Sequence, residues 1–265
     1  MDLWNKFEEL ALLRNKASLV VQTLGQFKVW LNGQPLLEKD WGRAKSIQLF
    51  QFFISNRNQS GLHKEVIMDR IWQSDHDQDF KVALHGINKI LEPNRKARTQ
   101  PKYVVRQGLS YALNTDDVWI DVAVIEQFIA IGNQARFKDD ELSQAALQEA
   151  IDLYKGPYLP DRIYEDWSSE EREHIQVLVL DAFMSLAAIK LSINPSETIR
   201  LTQQVLQIDH CWEEAYRLQM QAFIEKGNRP QAIKTYEKCV SILNEEYSIS
   251  PLPETKALLQ EIVAR

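Results

Sequence analysis

The chain has 265 residues, 45% of them hydrophobic and 26% charged, with a formal net charge of −6. That apolar content can bury a sizeable core in one or two domains, which excludes an extended disordered chain. The longest apolar runs, such as Ile175 to Leu180, fall well short of the roughly 20 residues of a membrane span, and MDLWNKFEEL lacks the basic and apolar regions of a secretory signal, so a cytoplasmic protein without membrane association is expected.

Residues 1–17 place Leu3, Trp4, Phe7, Leu10 and Ala11 at helical spacing and read as a short amphipathic arm. The period then changes. SLVVQTLG and QFKVWLNGQPLLE are β-branched and aromatic runs, and Asn32-Gly33 is a hairpin-turn signal, so a small N-terminal sheet is predicted. Helical spacing follows from Arg43 to Asn56 and again from Lys64 to Trp72. After QSDHDQD comes DFKVALHGINKILE, a third helix with Asp79 as its predicted N-cap and Pro93 as its terminator. A basic loop leads into YVVRQGLSYAL, two short strands with Gly108 at their turn.

The third helix carries Phe80, Ala83, Leu84, Ile87, Ile90 and Leu91 on one face and Lys81, His85, Asn88 and Lys89 on the other. Gly86 interrupts the polar face, although a helix-interior Gly costs about 1 kcal/mol relative to Ala. Charge is uneven along the chain: residues 1–128 hold 17 Lys/Arg and 15 Asp/Glu, whereas the remainder holds 14 and 22. Between Lys81 and Arg106, seven bases meet a single acid, Glu92. Three helices followed by a hairpin is the order of a winged helix-turn-helix, whose third helix enters the DNA major groove while the hairpin touches the backbone. On that reading Lys81, His85, Asn88 and Lys89 meet base edges and phosphates, Gly86 allows close approach to the duplex, and Lys102 and Arg106 meet phosphates at the wing. A core helix with a solvated face would explain the apolar stripe but not the basic loop and hairpin after it.

From Asp121 onward the pattern is helical only. Phe128–Tyr154, Glu170–Lys190, Ser196–Ile208, Trp212–Lys226 and Gln231–Leu243 are predicted helices, broken at Gly156-Pro157, Asn194-Pro195 and Gly227-Asn228. AYRLQMQAFIEKGNRPQAIKTYEKCV fits a tetratricopeptide unit, with Tyr216 at its aromatic position, Gly227 at the turn, and Ala232, Tyr236 and Cys239 packing the second helix. Met220 stands where a small residue is usual. A weaker copy precedes it, with Thr198 and Thr202 at packing positions. Such repeats present a concave protein-binding surface more often than a catalytic cleft.

Chemistry beyond binding finds no support in the sequence. No glycine-rich phosphate loop, GxSxG or HExxH occurs, so no enzyme and no cofactor is expected. Cys211 and Cys239 lack ligand spacing and read as buried reduced thiols, the Asp75–Asp77 triplet reads as solvated acids, and His174 and His210 read as surface or capping residues, so no metal is expected.

KDWGRAKSIQLFQFF, KEVIMDRIW, VALHGINKILEP, GLSYAL, GPYLPDRIYEDWSSEEREHI and MQAFIEKGNRPQAIKTYEKCVSILNEEYSISPLPET together resemble the SARP-type transcriptional regulators, over roughly residues 18–264. That family couples an OmpR-type winged helix to a bacterial transcriptional activation domain. The resemblance implies an α+β winged helix-turn-helix domain over residues 18–120, after an arm at 1–17, and an all-α tetratricopeptide-like domain over 121–265. It implies that Arg43 and Lys45 at the start of the first helix, and Lys64 at the start of the second, lie near phosphates, and that Trp167 is a packing anchor. It further implies that the Gln73–Gln78 loop is an activation surface for RNA polymerase. The implied partners are double-stranded DNA, RNA polymerase or another regulatory protein, and a second copy on DNA. No receiver domain precedes the winged helix, so a phosphorylated aspartate switch is not expected within this chain. Departures are Asn88 and Leu91 where Arg is common, Gly86 where a larger residue is common, and EEYSISP in place of a Glu-Leu-Gly turn. The function expected is a DNA-binding bacterial transcription regulator, an activator; the alternative is a protein-interaction adapter whose winged helix has lost sequence reading.

Overall fold

The structure is a computed structural model in which residues 2–72, 77–96 and 98–264 are described. Helix α1 spans Leu3–Lys16. Strands β1 (Leu19–Gln22), β2 (Lys28–Leu31) and β3 (Gln34–Leu36) follow, with Asn32 and Gly33 both at positive φ, 49° and 77°, as an Asn-Gly hairpin turn requires. A 3-10 turn at Glu38–Trp41 leads to α2 (Ala44–Ser55), β4 (Leu62–His63), α3 (Lys64–Trp72) and α4 (Asp77–Leu91). The expected hairpin is β5 (Val104–Gln107) and β6 (Ser110–Leu113), and β7 (Val118–Ile120) closes the region. The remainder is helical: α5 (Asp121–Ala135), α6 (Asp140–Leu153), α7 (Asp166–Lys190), α8 (Pro195–Ile208), α9 (Glu213–Glu225), α10 (Arg229–Tyr247) and α11 (Pro253–Ala264).

The single helix expected over Phe128–Tyr154 is two. Phe137 turns into the left-handed region at φ 70°, and the Asp139 carboxylate accepts the Leu142 backbone N–H at 3.0 Å to start α6. No Gly or Pro marks that break, and the apolar spacing happens to continue across it. Helix α4 already runs from Asp77, so Asp79 stands inside its first turn rather than capping it.

The chain forms two units: Met1–Gln127 with Leu153–Gln176, and Phe128–Asp152 with Val177–Arg265. In the first, a four-stranded sheet has the order β3-β2-β1-β7, antiparallel except for β1 beside β7. Val20 is opposite both Trp30 and Trp119, and the Arg14 guanidinium lies 5.8 and 5.1 Å from those two ring centroids, which holds α1 against that face. On the other face Val29, Val21 and Ile120 are buried side by side. The second sheet, β4-β6-β5, backs the helices, with Phe80 of α4 packed edge-on to Tyr111 of β6 at 5.0 Å.

Helix α2 is buried nearly all round, from Leu49 through Ile54. Such a helix needs cover on more than one side. One side receives α4. The other receives the Leu153–Gln176 segment: Tyr158 and Ser55 share a hydroxyl hydrogen bond at 2.7 Å, Arg162 Nε donates to Gln51 Oε1 at 2.7 Å, Gln48 Nε2 donates to Glu165 Oε1 at 2.8 Å, and the Trp167 ring meets Phe52 at 5.6 Å. Trp167 is thus the packing anchor expected. At the end of α2, buried Arg57 reaches Glu171 at 2.5 Å and Glu126 at 3.2 Å.

In the second unit α9 packs between α8 and α10. Tyr216, Cys239 and Leu243 form one core cluster, and Met220 seats against Ala232 and Ile262 in another. The larger Met is thereby offset by a small residue on the facing helix. Thr198 and Thr202 are fully buried and return their hydroxyls to the carbonyls of Ala187 and Thr198, both at 2.9 Å. Burial pushes the Cys239 thiol up to about 12, as expected of a thiol that stays protonated.

Candidate nucleic-acid interface

Helix α4 exposes Lys81, His85 and Lys89, each four residues from the last. That spacing sets them in one row at about 6 Å intervals along the helix. The apolar face, Phe80, Ala83, Ile87 and Leu91, is buried against α2 and the wing sheet, which fixes the direction of the row. Asn88 corrects the sequence reading. It is only 9% exposed and belongs to the buried side, because a step of three residues from His85 turns it toward Ile87 and Leu91.

Gly86 also has a different purpose from close approach to a duplex. A Cβ there would stand 2.6 Å from Ser46 Oγ and 3.6 Å from the Trp41 carbonyl oxygen. The missing side chain lets α4 pass close to the start of α2.

At the N-terminus of α4, Asp77 pairs with Lys81 at 2.5 Å and also with Lys64. Lys64 is mostly covered: its ammonium lies 5.7 Å from the Phe80 ring, and its backbone N–H donates to the Leu109 carbonyl in the wing turn at 2.9 Å. It ties α3, α4 and the wing together. Lys45 is similarly occupied, donating to the Ile71 carbonyl at 2.7 Å and to Gln48 at 2.8 Å, and burial holds its ammonium below the usual lysine range. Lys102 donates to Asp117 at 2.5 Å and to Ser18 Oγ at 3.1 Å. The bond to Lys102, with others from Ser18, holds the Asp117 carboxyl down at about 2.

Lys102 stays exposed beside its partner, and two more of the predicted phosphate contacts are presented outward. Arg43 is exposed beside the first turn of α2, and its side chain caps nothing there. Arg106 is exposed on β5, where Nε donates across the turn to the Gly108 carbonyl at 2.7 Å and the guanidinium lies 5.8 Å from the Tyr111 ring. Gly108 makes that turn possible with φ 62°. The wing thus holds its arginine in one orientation while leaving the fork open to solvent. Arg95, Lys96 and Arg98 continue the basic surface between α4 and the wing, with Arg95 Nη1 on the Thr99 carbonyl at 2.6 Å.

Of the expected activation surface Gln73–Gln78, residues 73–76 lie outside the described residues, as do two members of the Asp75–Asp77 triplet; Gln78 is exposed on α4. Among the described residues, Asp209, His210 and Cys211 place one potential ligand atom each within 4.8 Å of one another, a grouping the sequence reading did not single out. Its signal, three adjacent ligand types, was visible only as a turn between helices. Among the described residues no helix is long and apolar enough to cross a membrane.

A family model, the bacterial transcriptional activator domain, matches residues 120–263. Among solved structures, Mycobacterium tuberculosis EmbR in complex with low affinity phosphopeptide is similar in fold, with a TM-score of 0.79 at 16% identity. The alignment covers 94% of this chain and 65% of that one, so the chain spans somewhat less than two thirds of that relative. No curated protein matches.

Proposed function

The chain belongs to the bacterial transcriptional activator domain family of SARP-type transcription regulators, and on that premise we propose that it binds double-stranded DNA through its winged helix and activates transcription through protein contacts made by its helical repeats. The observation that carries this reading is the row of Lys81, His85 and Lys89 on the outward face of α4, with Arg106 held open on the adjoining wing. A row of donors on a helix backed by a packed core suits base edges in a major groove, and a fixed arginine on a hairpin suits a phosphate. Arg43 adds a second phosphate contact. Lys45 and Lys64 support the surface by orienting its elements, while Lys102, exposed beside Asp117 as Lys81 is beside Asp77, adds a phosphate contact next to the wing. The Gln73–Gln78 stretch and the repeats are the surfaces for RNA polymerase or another regulator, and two copies bind paired half-sites.

The adapter reading draws on one observation, the burial of Asn88, which leaves the row with two lysines and a histidine and one amide fewer for base recognition. Fluorescence anisotropy with genomic duplexes at two salt concentrations separates the two readings. Under the DNA-reading proposal, His85→Ala and Lys89→Ala weaken specific binding more than binding to random duplex, by about 1 to 3 kcal/mol of discrimination. Arg106→Ala weakens both equally and lowers the slope of log affinity against log salt by about one unit. Equal losses on specific and random duplexes for the α4 variants favour the adapter.

A further inference from the structure

A groove of about 300 Å3 opens between α8 and α10 over α9. Its chemistry differs from that of the unit around it. The second unit carries 11 Lys/Arg against 16 Asp/Glu, yet no carboxylate lines the groove among the described residues. Lys234 and Lys238 project from α10 on one side, and neither has an ion-pair partner among the described residues. Gln207 faces them from α8. The floor is Gln219 and Phe223 of α9, with Leu206 beside them.

Each of these groups limits what can bind. Lys234 and Lys238 are one helical turn apart, about 6 Å along the axis. Alternate residues of an extended peptide repeat at about 7 Å, so carboxylates at positions i and i+2 match the two ammonium groups. Gln219 is only 7% exposed and its Nε2 makes one long contact, 3.4 Å to Thr202 Oγ1. The rest of that amide is left to pair with a backbone N–H or C=O, which a peptide has and a phosphodiester chain lacks as a donor–acceptor set. Leu206 and Phe223 extend partly exposed from the two core clusters and offer seats for an apolar side chain. A nucleic acid would meet only two cations in a unit of net negative charge, which favours the peptide.

We propose that the groove between α8 and α10 docks an extended acidic segment of another protein, with alternating carboxylates on Lys234 and Lys238, backbone on the Gln219 amide and an apolar side chain on Leu206 and Phe223. The proposal rests on the reading of the repeats as the protein-contacting part and names the chemistry of what they contact.

The test uses the full chain and a fluorescein-labelled heptapeptide, Ser-Glu-Leu-Glu-Leu-Glu-Ser, beside its counterpart with Gln in place of Glu, both in excess duplex DNA to occupy the winged helix. The acidic peptide is expected to bind at least tenfold more tightly than the amide peptide, and Lys234→Glu/Lys238→Glu is expected to weaken it at least tenfold with the circular dichroism spectrum unchanged. Equal binding of the two peptides, no binding of the acidic one, or undiminished binding by the double variant overturns the proposal. Acidic-peptide binding lost in the double variant while no duplex binds the wild-type chain supports the groove and removes the nucleic-acid reading instead.

Discussion

Gly86 of α4 and Ser46 of α2 meet so closely that a methyl group on the glycine would stand 2.6 Å from the serine hydroxyl oxygen. Ser46 is 2% exposed, so its hydroxyl must shift within a packed interior to admit a methyl group. Gly86→Ala should gain about 1 kcal/mol of helix propensity and lose about 1 to 3 kcal/mol to overpacking. Net destabilisation of about 1 kcal/mol is expected in urea unfolding. Removing the hydroxyl with Ser46→Ala leaves the Cβ of residue 46 at 3.4 Å and the Trp41 carbonyl oxygen at 3.6 Å, both ordinary contacts, so the double variant should recover the loss. A double-mutant cycle without coupling would show that the glycine is not there for α2.

That pair also shows where sequence reading reached its limit. The apolar period of α4 and the Asn32-Gly33 and Gly108 turns are local properties, and they predicted the helix, the hairpins and the winged order of elements. The outward row of Lys81, His85 and Lys89 followed from the same period. Asn88 did not, because a residue at the border of a helix stripe is assigned by what packs beside it. Lys45, Lys64 and Lys102 read as phosphate contacts because their partners within the chain, the Ile71 carbonyl, Asp77 and Asp117, are set by tertiary structure. β7 is three residues long and pairs with a strand about 100 positions away, so no local pattern announces it. The cover over α2 was foreshadowed by the helix itself, whose apolar and aromatic residues occupy more of its circumference than one contact face needs.

The Asp117 pair gives a pH dependence of definite sign. Its carboxyl titrates at about 2 in the folded chain, below an unfolded value of about 3.9. Between those values the unfolded state binds more protons, so the contribution to stability is present above the unfolded value and is lost as pH falls through the folded one. The difference in denaturation midpoint between the wild-type chain and Asp117→Asn should therefore be constant above about pH 5 and close toward about pH 2. A difference that does not change over that window would mean that Lys102 and Ser18 do not hold the carboxylate.

Ser248 occupies the turn where the family pattern places a glycine. It sits at φ 55°, ψ 36° after α10, and the Ser248 and Ile249 N–H groups return to Asn244 O at 2.9 Å and Leu243 O at 3.3 Å. The left-handed turn is made without Gly, at a cost of about 1 kcal/mol for a residue with a Cβ. Ser248→Gly should stabilise the chain by up to about 1 kcal/mol, less whatever the added unfolded-state entropy removes. Thermal unfolding measures it, and a lowered midpoint would show that Ser248 makes compensating contacts.

The last prediction concerns where the winged helix ends. A fragment stopping at residue 120 keeps every proposed DNA contact but loses the Leu153–Gln176 segment that covers α2. It would expose the seats of Tyr158 and Leu159, both buried, and leave Arg57 without Glu126 and Glu171. Burying one such apolar side chain is worth about 1.5 to 3 kcal/mol, and an unpaired buried charge costs about 3 to 5 kcal/mol. Those losses match a whole domain's stability of about 5 to 15 kcal/mol. The 1–120 fragment should therefore unfold without a cooperative transition, while a fragment ending at 176 should unfold cooperatively and bind duplex. In the full chain, Tyr158→Ala should cost about 3 to 5 kcal/mol, and Arg57→Met should cost less, about 1 to 3 kcal/mol, because the glutamates it leaves are partly exposed. Guanidinium unfolding of the four proteins, with anisotropy on one half-site, checks all of this. A stable, DNA-binding 1–120 fragment would show that α2 folds without its cover, and the functional boundary would then lie before Asp121.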